Sequence, residues 1–191
     1  MAKKILFYLF VLFFISGCAD KARVLNIENS GLCSAPFATL YLNTIEIKNS
    51  TETFNIASDD VRDALADSLK ETNCFHVFSL NEKSQPLKSE DEYLLETKIA
   101  LFQEREVIEK NIFKKEEKEL LSMTIALYAH NKSKKISANT KSELSINKSK
   151  ILGFTTKKES DKDSKTVLKN GVKQVSVLLK DGFEKLQSSE N

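Results

Sequence analysis

The chain has no tryptophan, two prolines, two histidines, three cysteines and five glycines among 191 residues. Each scarcity excludes something. So few glycines and prolines rule out collagen-like and low-complexity chains. Five glycines, none in a G-x-x-x-x-G-K or G-x-G-x-x-G run, leave no loop that could wrap a phosphate. There is no H-E-x-x-H and no nucleophile-elbow motif, so no catalytic set and no metal set can be assembled from the motifs. The formal charge of +2 offers no basic field for nucleic acid. The length allows one domain, or little more.

Of the two histidines, His76 sits in a short apolar stretch and His130 at the end of another, and both read as structural. The acidic pairs Asp59-Asp60 and Glu116-Glu117 read as solvated faces, and Lys114-Lys115 and Lys157-Lys158 as solubility patches. The expectation is a non-enzyme without catalytic residues, metal or cofactor, and without a nucleic-acid partner.

What the chain does have is a run of eleven apolar residues, Ile5 to Ile15, behind Lys3-Lys4. It is too short to cross about 30 Å of hydrocarbon as a helix. It has the length of a secretory core behind a positive start. The sequence Ile15-Ser16-Gly17-Cys18 resembles the lipobox of bacterial lipoproteins: an aliphatic residue, two small ones, then cysteine. The resemblance implies cleavage before Cys18, a diacylglycerol on the Cys18 sulfur and an acylated amino group. More than one acyl chain gives stable membrane anchoring. An uncleaved anchor and an ordinary cleaved signal are the competing readings. Asp20 lies one position beyond the place where an Asp retains lipoproteins at the inner membrane, which favours the outer membrane, facing the periplasm. Losing the leader removes Lys3 and Lys4 and leaves 174 residues with 27 basic and 27 acidic side chains.

Cys33 and Cys74 then remain. In an oxidising compartment they read as a disulfide. Two free thiols or a metal pair are the alternatives.

Beyond a polar tether at 18–36, the body spans 37–187 as one domain, with a short tail at 188–191. Phe37–Lys48 is rich in β-branched and aromatic residues and predicts a strand. Ser58-Asp59-Asp60 predicts a helix start with Ser58 as cap, and Asn73 a left-handed stop. Val61, Ala64, Leu65, Leu69 and Thr72 recur at helical spacing between them. Cys74–Leu80 predicts a second strand. Strand, helix, strand within about 45 residues reads as a right-handed βαβ unit. Cys33 and Cys74 then fall at one edge of a parallel pair.

Three alternating stretches follow, carried by Tyr93–Leu101, Leu121–Ala129 and Ile136–Ile146, which predict half-buried antiparallel strands. Asn131–Lys134 turns between the last two. The charged link 104–119 is either a long hairpin tip or a strand extension. Phe102, Ile112 and Phe113 beside it would make an apolar contact patch if exposed. Residues 157–165 read as a charged loop. Val167, Leu168, Val172, Val175, Leu179, Phe183 and Leu186 form one apolar helical stripe. The expected fold is α+β, in the order β-α-β-β-β-β-α. Five strands make a mixed sheet, two amphipathic helices cover one face, and the other face is polar and open.

The strand ending at Asn49, the helix from Val61-Arg62-Asp63-Ala64-Leu65 to Leu69, and Cys74-Phe75-His76-Val77 are similar to the opening of the curli-secretion lipoprotein family and of the related lipoprotein activators of penicillin-binding proteins. Lipopolysaccharide-assembly lipoproteins share a similar start. The resemblance implies a periplasmic docking domain, a homo-oligomer in some members, and no catalysis. It does not extend to a pore, because 104–119 and 147–163 lack the alternation a membrane strand needs. The functional expectation is a lipid-anchored accessory protein that binds another envelope protein. A lipid or lipopolysaccharide carrier and a surface-exposed adhesin are the alternatives.

Overall fold

In the computed structural model, the described residues are 32–49, 54, 56–80, 87, 89–110, 114–151, 154–155 and 161–189. They form β1 (Ala38–Asn49), α1 (Ser58–Glu71), β2 (Phe75–Ser79), β3 (Glu92–Lys110), β4 (Lys114–His130), β5 (Lys135–Ile151), β6 (Phe154–Thr155) and α2 (Asp161–Ser188). The sheet order is β2-β1-β3-β4-β5-β6. β1 is parallel to both β2 and β3, and the β3, β4 and β5 pairings are antiparallel. The α+β fold and the order of its five long strands are those expected. The two-residue β6, pairing only with Lys150 and Ile151, is the addition.

Alternation decides which face is covered. Leu95, Ile99 and Leu101 on β3 and Leu121, Met123, Ile125, Leu127 and Ala129 on β4 are all buried under the helices. On β1 the apolar positions change parity, from Leu40 and Leu42 to Ile45 and Ile47. A register shift between Leu42 and Ile45 absorbs the change and keeps all four on the covered side.

The helices follow their sequence signals with two differences. α1 begins after Ala57, and no side chain caps it. Ser58 is therefore the first helical residue rather than the cap; Asp59 and Asp60 still lie at the positive end of the helix dipole. α2 begins at Asp161, so part of the expected loop 157–165 is helical. Asn73 does adopt the left-handed conformation, at φ 57°.

Gly171 explains why α2 tolerates a poor helix former. A Cβ there would lie 2.9 Å from Ile125 Cδ1 and 3.2 Å from Ser142 Cβ. The pairing of Gly171 with the small, buried Ser142 lets the helix lie directly on the sheet. Its propensity cost of about 1 kcal/mol is offset by that closer packing.

The strands have two distinct ends. Residue 33, the starts of β1, β2, β3 and β5, and the end of α2 share one end. β1 leaves the sheet at Asn49, opposite Leu101. Beyond that point β3, β4 and β5 continue as an arm, paired through Lys110↔Lys115 and Lys114↔Ile151. The link 104–119 is thus a strand extension over its described residues.

Candidate interaction surface

The N-terminal end of the body is clamped to the C-terminus of α1. Cys33 and Cys74 form a disulfide, with Cα atoms 5.0 Å apart across 41 residues of sequence. Around it, the Cys33 amide donates to the Thr72 carbonyl at 3.2 Å, and Asn73 Nδ2 donates to the Cys33 carbonyl at 2.9 Å. The Phe37 amide donates to the Cys74 carbonyl at 2.9 Å. Cys33, counted with the tether from sequence, is therefore bonded to the domain. Cys18 lies outside the described residues.

The uncovered face of the sheet carries the exposed side chains. Because registers align, Phe78, Tyr41, Leu94, His130 and Lys135 form one row across five strands. Tyr41 and Phe78 stack with centroids 5.8 Å apart. The Tyr41 hydroxyl donates to Glu92 Oε1 at 3.1 Å, and desolvation together with that carboxylate raises its pKa. The next row holds Glu96, Tyr128 and Ser137. His130 Nε2 lies 3.3 Å from Glu96 Oε1, and Lys98 Nζ sits 5.7 Å from the Tyr128 ring centroid. Between these side chains lies an open basin of about 530 Å³. His130, read from sequence as structural, stands at the rim of this basin. His76 is exposed on edge strand β2. Among the described residues no cluster of three or more His, Cys, Asp or Glu side chains is arranged to hold a metal.

The arm has a charged root. Glu119 is 1% exposed, although it ends the charged link 104–119. Gln103 and Arg105 both donate to its Oε1, Arg105 at 2.7 Å, and Lys148 pairs with it from β5. Burial alone would raise the Glu119 pKa; the hydrogen bonds from Lys148, Arg105 and Gln103 outweigh it and hold the carboxyl below its ordinary value of 4.5. A depressed acid stabilises the fold fully above its unfolded pKa, and that contribution is lost as pH falls through the folded one. Glu119→Gln is expected to cost about 1–3 kcal/mol at neutral pH. It should also flatten the stability profile below the ordinary value of 4.5. Urea unfolding of both proteins between neutral and acid pH checks this. Equal midpoints throughout would show that the cluster is energetically silent.

Further along the arm, Phe102, Val107 and Ile108 are 47%, 51% and 58% exposed. The patch expected from sequence thus retains Phe102; Ile112 and Phe113 lie outside the described residues. Val107 and Ile108 were hidden in a charge-rich stretch. Ile108 falls at the register shift between Val107 and Glu109, where the pairing with β4 is irregular.

These features define an α+β domain with one sheet face packed under helices and the other open. No family model matches the chain, and no curated protein matches it in sequence. Solved structures resemble it in outline. A neuraminyllactose-binding hemagglutinin homologue from Helicobacter pylori is 12% identical, with a TM-score of 0.47, covering 83% of this chain and 95% of that one. A minor lipoprotein from Acinetobacter baumannii is 13% identical, with a TM-score of 0.42, covering 77% and 93%. PelC from Paraburkholderia phytofirmans, a dodecamer, is 17% identical, with a TM-score of 0.36, covering 78% and 93%. Likenesses of this size carry no assignment, and the functional reading rests on this chain's own residues.

Proposed function

We propose that the protein is a non-catalytic, lipid-anchored accessory protein of the bacterial cell envelope, held at the outer membrane through Cys18 and docking an envelope protein with its arm. The observation that carries the reading is the exposed trio Phe102, Val107 and Ile108 on the part of β3 that runs past β1. Exposed apolar side chains rimmed by charge, here on both faces of the arm, are the usual form of a protein contact. They lie at the far end of the sheet from Cys33, where the tether joins; Glu92 to Ile108 is about 50 Å of strand. The patch therefore faces away from the anchored end. A homo-oligomer is compatible with this arrangement, since a second copy is one envelope protein the patch could meet.

The carrier alternative needs an apolar groove between helices and sheet. Among the described residues, Leu40, Leu65, Leu69, Leu95, Ile125, Leu127 and Leu179 pack into that space at 0% exposure, which counts against an acyl chain there.

Two measurements test the proposal. Cys18→Ser is expected to abolish labelling by a palmitate analogue and to shift the protein out of the outer-membrane fraction. Retention there, unlabelled and at wild-type level, would refute the lipid anchor. A photocrosslinking residue in place of Ile108 should capture a discrete envelope protein in intact cells, whereas one at Lys70, exposed on α1 away from the arm, should not. The same adducts from both sites, or none from either, would refute the arm as the docking element.

A further inference from the structure

The open basin at the opposite end of the sheet lies apart from the arm. The geometry points to a binding site for an acidic sugar unit of an envelope glycan, lined by Glu96, Lys98, Tyr128, His130, Lys135 and Ser137. Its volume of about 530 Å³ is in the range of small-ligand sites, roughly 300–1,000 Å³.

Three observations select the occupant. First, the lining mixes an aromatic ring with hydrogen-bonding groups of both kinds. Tyr128 is 41% exposed. A pyranose, with one flat C–H face and a rim of hydroxyls, suits such a ring: the ring takes the face, while Glu96, Ser137 and His130 can exchange hydrogen bonds with the rim.

Second, the charge is complementary to an anion. Lys98 and Lys135 stand on the basin with Glu96 as the sole carboxylate of its lining. The Lys98 side chain is 57% exposed. Lys98 reaches Glu46 only at 3.9 Å and otherwise lies near the Tyr128 ring. A ligand carboxylate could displace that loose contact with a shorter charge-assisted hydrogen bond.

Third, the middle of the basin lies over an interior strand. β4 pairs on both sides, with β3 through Leu94↔His130 and Glu96↔Tyr128 and with β5 through Tyr128↔Ser137 and His130↔Lys135. Its main-chain donors and acceptors are consumed by those ladders. Over β4 an extended peptide finds no backbone edge to pair with, whereas at Lys135–Ser137 β5 pairs with β4 alone among the described residues. Recognition over β4 must run through side chains, which a sugar can satisfy; a peptide pairing along the β5 edge is the competing outcome that a poly-aspartate peptide reads.

The row Phe78–Tyr41–Leu94 continues from the basin towards β2, and Phe78 is 53% exposed. At about 4.8 Å between strands, five positions span roughly 19 Å. Further sugar rings of a chain could lie along that row.

The test titrates tetragalacturonate into the full-length lipidated protein in detergent micelles. Because the chain has no tryptophan, tyrosine emission can be read directly, and calorimetry gives the affinity. Tyr128→Ala and Lys98→Met, both at exposed positions, are each expected to weaken binding about tenfold or more. Added salt should weaken it too. Uncharged cellotetraose should bind about tenfold more weakly than tetragalacturonate. Phe102→Ala on the arm should leave affinity unchanged. Circular dichroism of each variant confirms that the fold is kept. No heat or fluorescence change with tetragalacturonate overturns the proposal. So does wild-type affinity in either basin variant, equal binding of cellotetraose, or equal binding of a poly-aspartate peptide. The arm crosslink reads a different surface, so failure here leaves the docking proposal standing, and failure there leaves this one.

Discussion

Phe183→Ala is expected to destabilise the domain by about 3–5 kcal/mol. Phe183 is 2% exposed on α2. Its ring meets three others: Tyr93 at 4.9 Å, Phe75 at 5.3 Å and Phe37 at 5.9 Å. Those partners come from β3, from β2 and from the residue before β1, so one side chain joins the closing helix to all three parallel strands. Phe37 and Phe75 also meet edge to face at 5.3 Å. Truncation removes the burial of a large ring and leaves a cavity that three rigid neighbours cannot collapse into. Against a total stability of about 5–15 kcal/mol, the loss is a large fraction. It should lower Tm by roughly 10 °C or more in a chain of this size. Phe183→Leu separates the two contributions. It keeps most of the volume and forfeits the ring–ring contacts, about 0.5–1.5 kcal/mol each, so it should fall between wild type and Ala. Urea midpoints for the three proteins check the ranking. A loss below about 1 kcal/mol for Phe183→Ala would mean that the cluster relaxes freely and does not tie the helix to the sheet.

The sequence exposed the helical stripe that contains Phe183 but not the ring cluster. Periodicity tells which face of α2 is buried; it does not say which strands lie beneath that face. That depends on β1 standing between β2 and β3, and sheet order leaves no trace in local pattern. The covered face was legible wherever one side of a strand is apolar and the other polar, as along Leu121–Ala129. It failed along 104–119 for a physical reason. On the arm both faces carry charge, so Glu104, Arg105 and Glu106 show no period of two even though they occupy strand. Their conformation is set by cross-strand neighbours in β4 and β5 rather than by hydrophobic alternation. Glu119 was missed in the same way. A buried carboxylate among acids and lysines looks like any solvated residue until Arg105 and Lys148 are brought to it from strands far apart in sequence. The basin was equally hidden, because Glu96, Lys98, Tyr128 and Ser137 come from three strands and each reads separately as an outward polar position.

Removing the Cys33–Cys74 disulfide should cost about 4 kcal/mol, the chain-entropy figure for a closed loop of this length. The sequence separation is 41 residues, and the loop encloses β1 and α1. Cutting it releases much of the strand–helix–strand unit from a constraint that acts in the unfolded chain. The native state has its own reasons to keep the two residues together. Cys74 is fully buried, and the hydrogen bonds from Cys33 to Thr72 and from Asn73 to Cys33 do not require the sulfur bridge. The double variant Cys33→Ser with Cys74→Ala should therefore still fold, with Tm lower by roughly 10 °C. Wild-type protein under a thiol reductant should fall by a similar amount, while the variant should not respond. The single variant Cys33→Ser isolates the bond from the packing of Cys74. It should lose nearly the same stability, because the Cys74 sulfur still fills its pocket. A thiol titration in denaturant settles the alternative of two free thiols. With the bridge intact and Cys18 converted to a thioether, the unreduced lipidated protein should titrate no thiol, and two after reduction. Two free thiols before reduction, together with a Tm indifferent to reductant, would show that the covalent clamp is absent. Hydrogen exchange then locates the effect. If the bridge holds the tether end to α1, its loss should raise exchange first at the Cys33 amide, bonded to Thr72, and at the Phe37 amide, bonded to Cys74. Amides of the central strand β4 should keep their protection until the whole domain opens.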